Sequence, residues 1–235
     1  MEDIDGWKLL RVSVEPKDCI LRPASTRPAP DQRLSREKTM IGLDHAQVLA
    51  LFRQSGALLE GHFRLSSGLH SSGYLQSALV LQHPATASRL AEALAETARA
   101  WSPDAVLSPA LGGVVIGHEL GRALGVRAMF AERQEGRLVL RRGFAIAPGE
   151  RILVVEDVVT TGLSTRETMQ VAESAGGVVV GAASLVNRSG GRAELGTPLV
   201  SLLQVDLPTW EESACPLCAS GVPVVKPGSR PTPGK

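Results

Sequence analysis

The chain has 235 residues, 43% of them apolar, which reads as one domain with extensions and enough apolar material for a full core. A net charge of +1 and an aromatic content of 3% argue against nucleic-acid or anionic-membrane partners and against stacked single strands. No apolar run approaches the ~18 residues of a membrane span. The acidic start (Glu2, Asp3, Asp5) lacks the apolar stretch of a signal peptide, and three cysteines suit a reducing cytoplasm.

Residues 1–42 are rich in proline and arginine and show no hydrophobic periodicity, so they read as a disordered extension. Met40 stands directly before the first periodic segment as a second candidate start. Asp44 is placed to cap a helix through Leu59, with Val48, Leu49, Leu51 and Phe52 as its apolar face. Gly61–Gln76 (GHFRLSSGLHSSGYLQ) has the Ser and Gly content of short strands and turns. His62, His70 and His83 are irregularly spaced along it and beyond; the expectation is that none is a metal ligand. Thr86–Trp101 reads as a helix that Pro103 stops. Ala105–Leu107 reads as a short buried strand. Ser108–Gly113 is a strand-to-helix loop, Val114–Leu124 the helix it opens, and Gly125 its end. Val126–Phe130 is a further strand. Glu132–Gly143 is a charged, hairpin-like stretch with Arg133, Arg137, Arg141 and Arg142; taken alone it is as easily a solvated face.

The most informative stretch is Arg151–Gly177. Ile152–Val155 is a continuous apolar, β-branched-rich run, as in a strand buried on both faces of a parallel sheet. Glu156 and Asp157 follow at once, then Val158, Val159 and the polar loop Thr160, Thr161, Gly162, Leu163. Ser164 and Glu167 have capping-box spacing, which predicts a helix starting there and closing at Gly176–Gly177. A helix N-terminus offers unpaired N–H groups to a phosphate. Gly162 permits close backbone approach, and Thr160, Thr161 and Ser164 add hydroxyl donors. Two carboxylates repel phosphate and suit hydroxyl groups or hydrated Mg²⁺ instead. Ribose 5-phosphate, with a phosphate at one end and a diol at the other, meets both demands. The stretch lacks the lysine of a P-loop and the G-x-G-x-x-G of a dinucleotide site. ILVVED also resembles the opening of a receiver domain, but too little chain follows for the βα series a receiver needs. Val178–Val186, ending in Asn187-Arg188, and Val200–Val205 complete an alternation of strands and helices. That alternation means an α/β fold with ligands beyond the carboxyl ends of the strands. Cys215-Pro-Leu-Cys218 is a single C-x-x-C, too few ligands for a tetrahedral zinc site unless shared across a dimer.

The run EDVVTTGLS (156–164) resembles the phosphoribosyl pyrophosphate (PRPP) signature of the type I phosphoribosyltransferases. Gly61–Gln76 resembles the N-terminal hood of the orotate phosphoribosyltransferases, and the resemblance covers about Leu43–Pro223. It implies a type I fold: a central, mainly parallel sheet flanked by helices, with a small hood. Residues 43–223 would form the domain, and 1–42 and 224–235 disordered extensions. It implies transfer of ribose 5-phosphate from PRPP to orotate, giving orotidine 5′-phosphate and pyrophosphate in pyrimidine biosynthesis, with Mg²⁺. On this resemblance Glu156 and Asp157 are catalytic and hold the ribose hydroxyls, directly or through Mg²⁺-bound water. Residues 158–164 bind PRPP, Leu111 and Gly112 lie in the pyrophosphate loop, and Thr160 and Arg188 touch orotate. Arg133, on a mobile basic loop, is a further catalytic and PRPP-binding residue that reaches the neighbouring site of a homodimer. Ser66 and Gly112 replace lysines that many members carry, and the loop is short and arginine-only. A phosphoribosyltransferase for another base, a non-catalytic PRPP-binding regulator and a plain interaction protein stay open.

Overall fold

The computed structural model describes residues 42–65 and 67–227; the readings made for residues 1–41, for Ser66 and for 228–235 lie outside the described residues. Asp44 opens α1 (His45–Gln54) through a reciprocal capping box: its Oδ1 accepts from Gln47 N–H at 2.7 Å, and Gln47 Oε1 accepts from Asp44 N–H at 2.9 Å. The helix buries Val48 and Phe52 but stops short of Leu59. Gly56 turns the backbone through a positive φ, and Leu58 already belongs to a strand.

Strands β1 (Leu58–Arg64) and β2 (His70–Leu75) form an antiparallel hairpin. Next come α2 (Ala78–Leu81), α3 (Pro84–Ala98, proline in its first turn), β3 (Ala105–Pro109) and α4 (Gly112–Leu124). Then follow β4 (Arg127–Gln134), β5 (Arg137–Leu140), β6 (Arg151–Val159), α5 (Leu163–Ser174), β7 (Val178–Asn187) and β8 (Leu199–Gln204). The chain closes with β9 (Thr209–Trp210) and α6 (Pro216–Ala219).

The main sheet has the order β5-β4-β3-β6-β7-β8 and is parallel except for the edge strand β5. Successive side chains of a strand point to opposite faces, and the two central strands show this directly. Val106, Leu153 and Val155 pack with α1, α3 and α4, while Ala105, Leu107, Ile152 and Val154 pack with Met169 and Ala172 of α5. All seven strand residues are fully buried, which is why these runs read as continuous apolar segments. A Leu153→Ala truncation in such a core costs about 2–5 kcal/mol.

The hood is a second, three-stranded sheet, β1-β2-β9, all antiparallel. Its third strand comes from the C-terminal segment. Beyond Pro223, where the tail was expected to begin, Val225 bridges to Phe63, with Arg64 N–H donating to Val225 O and Val225 N–H donating to His62 O. The C-terminal segment therefore returns to the hood instead of leaving the domain at Pro223.

Candidate active site

Strand β6 runs on through Val159, which pairs with Asn187 of β7, so Glu156 and Asp157 lie within the strand near its carboxyl end rather than after it. Asp157 turns toward α2 and α4. It accepts a short hydrogen bond from Ser77 Oγ, and a Cβ at Gly112 would stand 2.6 Å from its Oδ1. Glycine at 112 thus lets the start of α4 touch the carboxylate; a side chain there would displace it. Glu156 is buried. Desolvation, and next the neighbouring Asp157 charge, push its carboxyl up to about 9. At neutral pH the Glu156 carboxyl therefore keeps its proton.

A cleft of about 440 Å³ opens beside Asp157, lined by Gln76, Ser77, Leu81, Leu111, Gly112 and Val115 among others. It joins Asp157 to the end of the hood. Leu111 is largely exposed there. A larger depression of about 620 Å³ lies between β5 and α5, and its lining includes neither carboxylate of the pair nor the 160–164 loop.

Beyond β6, Gly162 caps α5 with φ 74°, and no side chain caps the helix. The expected Ser164–Glu167 capping box does not form. The left-handed turn at Gly162 starts the helix at Leu163, so Ser164 lies inside the first turn and cannot occupy the cap position. Glu167 is engaged elsewhere, accepting from Arg133 Nη2 at 2.5 Å. Thr161 Oγ1 accepts from Leu163 N–H at 3.3 Å. Thr160, Thr161, Leu163 and Ser164 are all exposed at this helix start, where backbone N–H groups gather with no side-chain cap.

Arg188 follows β7, and its N–H donates to Val159 O at 2.9 Å, which places it beside the end of β6. It is half-buried, and desolvation lowers its pKa. Among the described residues no carboxylate pairs with it. A partly desolvated guanidinium without an acid is a ready receptor for a ligand carboxylate.

The basic stretch is an ordered edge hairpin of β4 and β5, joined by a tight turn at Glu135 (φ 50°) and Gly136 (φ 83°). Arg142 makes a two-pronged pair with Glu132, at 2.9 and 2.7 Å. Arg133 is held within its own chain by Glu167. The four arginines are thus not equivalent, because local acids engage Arg133 and Arg142 while no ion pair holds Arg137 or Arg141 among the described residues.

The structure brings Glu156, Asp157, the 160–164 loop, Leu111–Gly112 and Arg188 to the carboxyl ends of neighbouring parallel strands, where open α/β sheets bind ligands. Sequence reading missed Ser77 and Gln76 as walls of the cleft; the Ser77 bond to Asp157 spans 80 residues and left no local signal. It also took His62 and His70 as no metal ligands and the C-x-x-C as incomplete. Both histidines face Cys215 and Cys218, all four ligand atoms lying within 4.8 Å of one another. The hairpin register explains the convergence: His70 sits opposite Arg64, two residues from His62, so both rings fall on one face.

The model of the phosphoribosyl transferase domain matches residues 77–218, spanning the main sheet and reaching α6. Fold, acidic pair and uncapped helix start together define a phosphoribosyltransferase. The chain is similar to the orotate phosphoribosyltransferase of Carboxydothermus hydrogenoformans, 55% identical over 182 residues, 77% of this chain and 95% of the relative. It is likewise similar to that of Rhizorhabdus wittichii, 56% identical over 191 residues, covering 78% and 95%. Among solved structures it resembles the Mycobacterium tuberculosis orotate phosphoribosyltransferase in complex with PRPP, with 27% identity, TM-score 0.55, and coverage of 69% and 96%. The chain belongs to the orotate phosphoribosyltransferase family.

Proposed function

We infer that the chain transfers the ribose 5-phosphate of PRPP to N1 of orotate, releasing pyrophosphate. The observation that carries this reading is the half-buried Arg188, without an acid partner among the described residues, beside a carboxylate pair and an uncapped helix start on adjacent strands. The N–H groups and hydroxyls of residues 160–164 hold the 5′-phosphate. Glu156 and Asp157 hold the ribose diol; the protonated Glu156 carboxyl can both donate to and accept from hydroxyl groups. The base then lies toward Arg188 and Thr160, and the departing pyrophosphate toward Leu111–Gly112.

The bond from C1′ to the pyrophosphate oxygen breaks as N1 of the base approaches. The positive charge that develops on the sugar is stabilised by the carboxylate pair, and no side-chain nucleophile is required. The hard oxygen donors of Asp157 and Ser77 on the cleft wall fit Mg²⁺ held through water. When bound, Mg²⁺ neutralises the leaving pyrophosphate. A homodimer that brings a second basic hairpin over the cleft, and a cytoplasmic location, belong to the same reading. No helix among the described residues is long and apolar enough to cross a membrane.

Incubating the protein with PRPP, Mg²⁺ and orotate, uracil, adenine or hypoxanthine tests it. Pyrophosphate release with orotate alone is expected. Turnover of a purine instead defines a different base specificity, and PRPP binding without turnover of any base defines a regulator; either overturns the assignment.

A further inference from the structure

The hood and the C-terminal segment hold four donor side chains that the transfer reaction does not use. His62 lies on β1, His70 opens β2, and Cys215 and Cys218 flank the start of α6. His62 Nε2 is 2.8 Å from His70 Nδ1, 3.4 Å from Cys215 Sγ and 3.7 Å from Cys218 Sγ, while Cys218 Sγ is 3.2 Å from His70 Nδ1. A tetrahedral ion with bonds of ~2.0–2.1 Å to nitrogen and ~2.3 Å to sulfur sets its ligands roughly 3.3–3.8 Å apart. These four separations are within about half an ångström of that range, and all four ligand atoms lie within 4.8 Å of one another.

Two further features point to a ligand. His62 Nδ1 stands 2.7 Å from the Val222 carbonyl oxygen, which can only accept, so Nδ1 carries the proton. Nε2 therefore turns its lone pair into the cluster, the outer hydrogen bond that orients metal-bound imidazoles. His62, His70 and Cys215 are also almost wholly buried, at 3%, 1% and 3% exposure. Two imidazoles and two thiols gathered in such a place have no packing advantage over apolar side chains.

We propose that His62, His70, Cys215 and Cys218 form a closed Cys₂His₂ zinc site that fastens the C-terminal segment to the hood. Paired thiolates and imidazoles with small tetrahedral spacing select zinc over magnesium or calcium. Four protein ligands leave no open position for water, so the site is structural. The need is visible: β9 has two residues and α6 four, lengths that do not hold themselves in place. The ligands join positions 153 residues apart between His62 and Cys215. Binding releases the thiol protons and forms two Zn–S and two Zn–N bonds, with no change in oxidation state.

The test is metal analysis of the full chain, independent of its activity. The wild type purified from zinc-replete medium is expected to carry one zinc per chain. A Cys215→Ser/Cys218→Ser variant should carry less than about a tenth of that. Cobalt(II) should replace zinc and give the visible absorption of a tetrahedral thiolate site, absent in the variant. Because removing the cysteines can also unfold the hood, His70→Cys and His70→Ala are compared. The first supplies a ligand and should keep zinc; the second should lose most of it and melt at a lower temperature. A folded wild type without zinc that gives no tetrahedral cobalt spectrum, or zinc retained in the double-serine variant, overturns the proposal.

Discussion

At Asp157 the carboxylate is fixed by Ser77 on one side and by the start of α4 on the other. A charge held this firmly where the sugar becomes cationic acts without reorganising. Its removal in Asp157→Asn should lower kcat at least ~100-fold with the fold intact, the scale of losing one preorganised electrostatic group. Wild-type turnover in a folded variant would take Asp157 out of the mechanism. Glu156 differs in kind. Its folded pKa of about 9 exceeds the ordinary carboxyl value of 4.5, so the folded state binds the extra proton between those values. Its contribution to stability is complete below about 4.5 and disappears as pH rises through 9. Glu156→Gln should therefore flatten the decline of Tm from pH 5 to pH 8 and raise Tm at pH 8 by roughly 5–10 °C. Parallel declines in the two proteins would show that Glu156 is ionised when folded. Arg188 is set to read the base. Arg188→Ala should raise KM for orotate roughly 10–100-fold while KM for PRPP stays within about threefold, since a hydrogen bond to a charged group is worth about 1.5–3 kcal/mol. Equal losses for both substrates would exclude the carboxylate contact. All three side chains were legible in the sequence because each sits where a buried strand meets a polar loop. Ser77 was not, because its role depends on a contact across the fold.

The elements carry a different lesson. The central strands were legible because burial on both faces leaves an unbroken apolar run, and α3 and α4 because proline and glycine mark their ends. The start of α5 was misread because capping-box spacing is a local pattern, whereas Gly162 and the pull of Arg133 on Glu167 decide the actual cap. Gly162 has φ 74°, and a Cβ there would meet Leu195 Cδ2 at 2.8 Å. Gly162→Ala should thus cost about 1–2 kcal/mol of stability and tilt the phosphate loop, weakening PRPP about tenfold with little effect on the choice of base. Calorimetric titration with PRPP checks this; unchanged affinity would show that the loop tolerates a different cap. The zinc ligands escaped the sequence reading for the same reason in reverse. One hairpin register brings the histidines together, and a distant segment supplies the cysteines.

For the whole molecule, the hairpin arginines bear on assembly. Arg133 is tied to its own Glu167, so release of that pair would free it to cover a neighbouring site. On the dimer reading, mixing Arg133→Ala with Asp157→Asn protein should restore part of the activity through hybrid dimers. An active monomer in light scattering would end that reading.

The hood's third strand also sets a schedule for synthesis. Strands β1 and β2 leave the ribosome early, yet the strand that completes their sheet and the Val225 bridge are among the last described residues to be made. The main sheet can close while the hood still waits for its partner, because domains form as the chain emerges and distant pairings are slow. The cleft wall at Gln76 and Ser77 follows directly on the unfinished β2. A nascent chain, or one that stops before β9, therefore has the ribose-phosphate loop before it has a fixed wall above it, and competence waits for β9.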